Sequence, residues 1–208
     1  RDFKALEHAG EAIKLDVQGA EADVLAGGHK TLRERTVCLI CEVHFLPVYE
    51  GIALFSEIER EARKLGFSFY GFLDFQHRST KRLDKRQHRG LERTMQADAV
   101  FFRDPFDEAN ADMGHRKSGI LLLLALLLGY YDFCLELAEL LKPEDRPAVQ
   151  NAIRALAQID DIADQAEIQA LARAAAEGAS EAHIALARLV DRRRDLTTVH
   201  DIMPAPKA

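Results

Sequence analysis

The sequence predicts an α/β fold followed by an all-α region, and three observations carry that prediction. Over residues 1–106, short β-rich runs alternate with segments whose apolar residues recur at helical spacing. The last two runs, residues 67–75 and 97–103, have no helical pattern between them. Residues 76–96 are polar and basic, so these runs are expected to pair antiparallel. Beyond a polar connector at residues 107–115, the chain is rich in Ala, Leu, Glu and Arg and shows no convincing strand. The expected architecture is the second half of an open α/β sheet over residues 1–106, closed by an antiparallel hairpin. An all-α, helical-hairpin extension over 116–196 and a frayed tail over 197–208, with Pro204 and Pro206, complete it.

Each element has its own signal. Residues 12–17 form a short apolar run broken by Lys14 and Asp16, a buried strand whose end turns polar. Gly19 follows, then a helix over 20–32 with Ala20, Val24, Leu25 and Leu32 in step. VCLICEV, residues 37–43, is a strand by its β-branched and apolar content. Residues 54–65 place Leu54, Ile58, Ala62 and Leu65 on one stripe, and Gly66 stops the helix. Strands separated by helices imply right-handed crossovers and parallel pairing. Further on, helices are expected over 117–128, 133–141, 144–158, 164–177 and 180–194. Gly129, Pro143, Pro147 and Gly178 act as punctuation, and Asp132 as an N-cap.

Composition narrows the function classes. The net charge is −6, from 34 acidic and 28 basic residues, which argues against whole-surface nucleic-acid binding. With no Trp and 7% aromatics, platforms for stacking bases are sparse. The longest apolar run, residues 120–128, is far shorter than the roughly 20 residues that cross a bilayer. The three cysteines do not make a disulfide framework, and no charged-then-apolar leader follows Arg1. These features are expected of a cytoplasmic protein without a membrane span.

The most informative stretch is IKLDVQGAEADVLAGGHKTL, residues 13–32. Its strand-then-helix pattern K-x-D-x-x-G-x-E, here Lys14, Asp16, Gly19 and Glu21, closely resembles the signature of FkbM methyltransferases. The next strand, CLICEVH, ends in an acidic residue as that family's commonly does, and the final pair of strands resembles its terminal hairpin. The resemblance covers about residues 1–103. It implies a class I methyltransferase (Rossmann-like) fold, S-adenosyl-L-methionine as cofactor, and O-methyl transfer to a hydroxyl of a sugar, glycan or secondary metabolite. In that family the Gly-rich strand–loop–helix and the acidic ribose ligand precede the signature, and nothing before Ile13 resembles either. The expectation is therefore the acceptor-side part of such a domain, a fragment lacking the main cofactor-binding loop.

Chemistry should gather at the strand ends. Lys14 and Asp16 are two apart on one strand and share a face, as do Glu42 and His44 on the next. Glu21 lies about one turn into the following helix. Asp16, Glu21, Glu42 and His44 are the expected catalytic set, with His44 or Asp16 favoured as general base. Asp16 and Val17 are expected to face the cofactor, and Lys14 the substrate. A divalent ion is an alternative use of such residues, but no tight ligand spacing supports it, and no metal ligand is assigned. Glu21 also fits a helix N-terminal acid favoured by the dipole, and His44 a loop histidine.

Three further features complete the reading. Cys38-x-x-Cys41 resembles a redox or zinc pair, but residues three apart on a strand face opposite sides, so both are expected in the core. Residues 76–96 carry seven Arg and Lys, among them Arg82 and Arg86, and should emerge at the catalytic edge. They read as a solvated loop or as a clamp for an anionic, phosphorylated or nucleotide-linked substrate. ILLLLALLL, residues 120–128, is apolar all round. It reads as the core of the helical extension or as a surface for a protein partner or a second copy. The rival to an enzyme is a non-catalytic helical interaction module attached to a vestigial half-domain.

Overall fold

The computed structural model describes residues 10–81, 83, 90–157, 161–179 and 181–186. The chain divides into two compact units, Arg1–Ala157 and Gln158–Ala208.

In the first unit the elements run β1 (Ala12–Leu15), α1 (Glu21–Gly27), α2 (His29–Glu34), β2 (Cys38–His44), α3 (Phe55–Lys64), β3 (Ser68–His77), β4 (Thr94–Phe102), α4 (His115–Leu127), α5 (Tyr131–Ala138) and α6 (Arg146–Ala157). The second unit contributes α7 (Asp161–Ala176), and residues 181–186 are also helical. The remainder of the expected helix over 180–194, and the tail over 197–208, lie outside the described residues.

Four strands form one mixed sheet in the order β1-β2-β4-β3. β1 and β2 are parallel, with Ile13 opposite Leu39. β4 lies antiparallel between β2 and β3, with Ala99 opposite both Cys41 and Phe72. The expected order of elements along the chain, the parallel pairing of β1 with β2 and the antiparallel hairpin are present, whereas β3 does not pair with β2 because β4 lies between them. One helix differs. The apolar pattern over 20–32 runs through Gly27-Gly28, and the helix breaks there into α1 and α2. Gly28 caps α1, its N–H bonded to the Val24 carbonyl. A Cβ at Gly28 would lie 2.9 Å from that same oxygen.

Side-chain alternation gives the sheet two apolar faces. On one, Leu15, Leu39, Cys41, Val43, Ala99 and Phe101 pack with Leu25, Leu32, Ile58 and Ala62 from α1, α2 and α3. On the other, Cys38, Val100 and Phe102 pack with Leu121 and Ala125 of α4, Phe133 and Leu137 of α5, and Ile153 of α6. The first part of the expected helical extension is thus the third layer of an α/β/α sandwich. The reason lies in β4: Val100 and Phe102 alternate with Ala99 and Phe101, so both faces are apolar and both need cover. α4 commits Leu121, Leu122 and Ala125 inward while leaving Leu123 and Leu127 in solvent. Cys38 and Cys41 fall on opposite faces, as their spacing requires, and burial raises both thiols, Cys38 to about 12.

Arg103, directly after β4, fastens the other end of the sheet. It is 8% exposed, and its guanidinium donates to the carbonyls of Leu32, Thr36 and Leu65 and to Asn110 Oδ1, at 2.8–3.0 Å. The Leu32 carbonyl lies in the last turn of α2 and that of Leu65 just past α3, where helices leave carbonyls unpaired. The guanidinium also lies 4.7 Å over the Phe67 ring. Gly66 adopts φ +88°, and a Cβ there would come within 2.6 Å of Arg103 Nη1, so the turn out of α3 admits only glycine.

Candidate functional site

At the C-terminal ends of β1 and β2 the face covered elsewhere by α4 and α5 turns polar. Cys38 and Ile40 give way to Glu42 and His44 along β2, and Val100 gives way to Asp98 and Gln96 along β4. Asp16 stands just beyond β1. Asp16, Glu42, Asp74, Gln76, Gln96 and Asp98 line an open crevice of about 420 Å³. Asp74 enters it because β3 slips register between Leu73 and Gln76, and its φ is +47°.

The turn after β1 begins at Asp16, which lines the crevice. Glu21, only 3% exposed, accepts the N–H of Val17 with one carboxylate oxygen and the N–H of Gly19 with the other, each at 2.9 Å. That clamp holds Gln18 at φ +56°, a left-handed conformation costing a non-glycine residue roughly 1–2 kcal/mol. Gly19 follows at φ +104°, and a Cβ there would lie 3.2 Å from Tyr49 Cδ2. The clamped turn aims the Gln18 side chain at the strand ends. Its Nε2 donates to Asp16 Oδ1 at 2.9 Å and to Glu42 Oε2 at 3.3 Å, while its Oε1 accepts the Tyr49 hydroxyl at 2.8 Å.

Glu42 is the most constrained carboxylate that lines the crevice. It is 7% exposed, and its other oxygen accepts Gln96 Nε2 at 2.7 Å. Burial, first, and the Asp16 charge, second, raise its pKa above the ordinary carboxylate value; His44 pulls the other way. His44 Nε2 lies 4.0 Å from Glu42 Oε2, behind it rather than in the crevice, and is 2% exposed.

The residues expected from the sequence therefore divide. Asp16 and Glu42 meet in the crevice, and His44 backs Glu42. Glu21 adjoins the site, with both oxygens committed to the backbone of the turn. Lys14 pairs with Asp98 across the sheet face. Val17 stands beside Asp16, 42% exposed. Arg82 and Arg86 lie outside the described residues. Gln18, Gln96, Asp98, Asp74 and Tyr49 were not expected. For Gln96 and Asp98 a signal existed: they sit two apart at the start of an apolar strand, the mirror of Glu42 and His44 at the end of theirs. Tyr49 and Asp74 reach the site through a loop and a bulge that leave no pattern in the sequence. Among the described residues no group of three or more His, Cys, Asp or Glu is arranged to hold a metal ion, and no helix is long and apolar enough to cross a membrane.

The chain is an α/β protein with a polar crevice outside the carboxyl ends of its parallel strands, the place where open α/β sheets generally take ligands. Residues 7–69 match the model of the methyltransferase FkbM domain, so this stretch of the chain is similar to a domain whose name denotes methyl transfer. The match takes in β1, α1, α2, β2, α3 and the start of β3, hence Asp16, Gln18, Glu21, Glu42 and His44. No curated protein and no solved structure matches the chain.

Proposed function

We propose that this protein takes part in S-adenosyl-L-methionine-dependent O-methyl transfer to a hydroxyl of a sugar, glycan or secondary metabolite, with Glu42 as the proton acceptor. The observation that carries the reading is the placement of a buried carboxylate of raised pKa at the strand end of the FkbM-like segment, open to a crevice and oriented by two side-chain amides. A base of raised pKa suits proton removal near neutral pH better than an ordinary carboxylate does.

The cofactor, when bound, supplies a methyl group on a positively charged sulfur. The donor set present fits that charge: Asp16 and Glu42 face the crevice. The acceptor hydroxyl would give its proton to Glu42 as its oxygen gains the methyl. Gln96 and Gln18 hold the carboxylate at a fixed angle, so little reorientation is needed. Asp16, whose Oδ1 accepts Gln18 Nε2, and Asp74 would accept further hydroxyls of a polyol through their remaining lone pairs. Because the crevice is lined by carboxylates, an anionic group on the substrate would belong outside it.

The test is a transfer assay with methyl-labelled cofactor against a panel of neutral glycosides. Glu42→Gln is expected to lower kcat about 100-fold or more with KM changed only slightly. Full activity in that variant, or a loss confined to KM, would remove Glu42 from the chemistry.

A helical interaction module is the second reading, favoured by one observation: Leu123 and Leu127, one turn apart on α4, are 56% and 74% exposed. Calorimetric titration with S-adenosylmethionine separates the two, since the module requires no cofactor binding.

A further inference from the structure

We infer that Gln18 is a positioning residue whose side-chain amide, oriented by Tyr49, bridges Asp16 and Glu42 and keeps the Glu42 carboxylate ionised and aimed into the crevice. The inference rests on the reading of Glu42 as proton acceptor.

Three observations carry it. The first is conformational. Gln18 is one of only two non-glycine residues with positive φ among those described, and the other, Asp74, lines the same crevice. A left-handed glutamine persists only where its surroundings over-determine it. Here Glu21 does so, gripping the N–H groups on either side of Gln18 and leaving the side chain to point at the strand ends.

The second is the bonding of the amide. Its nitrogen serves one oxygen from each of two carboxylates, on β1 and β2, that would otherwise face each other with like charge. Its oxygen is taken by the Tyr49 hydroxyl. A hydroxyl that donates there fixes which end of the amide is the donor. Were the amide turned over, its oxygen would confront two carboxylates.

The third is the balance of charge around Glu42. Asp16 and Glu21 oppose its ionisation, and Asp98 of β4 and Asp74 of β3 line the same crevice. Lys14 favours ionisation but is already paired with Asp98, and His44 favours it when protonated. Among the described residues Lys14 and His44 are the cationic groups that act on Glu42, and neutral donors hold its two oxygens. Gln96 supplies one to Oε1 and Gln18 the other to Oε2. Gln96 comes from a rigid strand, whereas Gln18 sits on a turn and touches both carboxylates. Among the described residues it donates to both Asp16 and Glu42.

The experiment follows the titration of the Glu42 side-chain carboxyl carbon by NMR in the full chain. Gln18→Met keeps the length and removes the donor, and its Glu42 midpoint is expected to rise by about one pH unit. Gln18→Glu adds a third carboxylate and should raise it further. Tyr49→Phe should raise it by less, because the amide loses its orienting partner but not its donor. The backbone N–H resonances of Val17 and Gly19 report the turn and should stay in place in all three. An unchanged midpoint in Gln18→Met overturns the inference. So does movement of the Val17 and Gly19 signals together with the midpoint, since the glutamine would then be holding the turn rather than the carboxylate. The titration needs no turnover. A raised midpoint without any methyl transfer would leave Gln18 as the bridge and refute the enzymatic reading instead.

Discussion

The two ends of the sheet solve the problem of buried polar groups in opposite ways. At the end where β4 finishes, one guanidinium meets three backbone carbonyls and one side-chain oxygen, all belonging to fixed elements. At the end where β1 and β2 finish, Glu42 is held by two glutamine side chains, and Asp16 and Asp74 open onto a crevice. The first arrangement leaves nothing for a ligand to replace. In the second, side-chain amides occupy positions that a ligand's hydroxyl or amino groups can take over at similar energy, because each exchanges one hydrogen bond for another. A polar group tied to backbone stabilises the fold. One tied to movable side chains is available for binding.

The contrast breaks most readily at Arg103. Arg103→Met strands the carbonyls of Leu32, Thr36 and Leu65 and the side chain of Asn110, and is expected to cost about 3 kcal/mol or more. Urea unfolding measures this. A loss under about 1 kcal/mol would mean that water replaces the guanidinium and that this end is no more rigid than the other.

Next in size is the layer that covers the second face. Leu121→Ala on α4 should cost about 2–4 kcal/mol, matching Ile58→Ala on α3, because both side chains are 1% exposed or less and pack on the same strands from opposite sides. If Leu121→Ala unfolds only the helices and leaves the sheet intact, as followed by amide exchange in β2 and β4, α4 is an attached layer rather than part of one core.

The smallest effect is a pH dependence at the crevice. Glu42 has a folded pKa above its unfolded one, so between the two values the native state binds more protons. Stability contributed by this group is therefore present at low pH and falls as the pH rises from the unfolded value toward the folded one. Glu42→Gln should remove that decline, and wild type and variant should diverge as the pH climbs through the mildly acidic range. Parallel curves would place Glu42 in a more solvated setting than its burial implies.

Sequence patterns anticipated the sheet well because strand and helix periodicity are local properties. The Cys38/Cys41 split across the two faces follows from alternation alone, and the hairpin of β3 and β4 from the lack of a helical pattern between them. The helix over 20–32 was legible as helix but not as two helices, since the break depends on how closely Gly28 approaches the Val24 carbonyl. The helices after residue 115 were expected as an extension. Their packing on the sheet required recognising that Val100 and Phe102 form a second apolar face.

For the site, Asp16 and Glu42 were legible because a charged residue ending a buried strand is costly without a use. Glu21 was legible in position but not in role, because nothing local distinguishes an acid that faces a ligand from one that grips its own turn. Periodicity and the FkbM-like signature thus determined the element order, the likeness of residues 7–69 to the FkbM domain and the strand-end carboxylates. Only the tertiary structure decided which of those carboxylates meet, which amides hold them and what Arg103 fastens. Those outcomes depend on contacts between residues up to 71 positions apart, which no local pattern encodes.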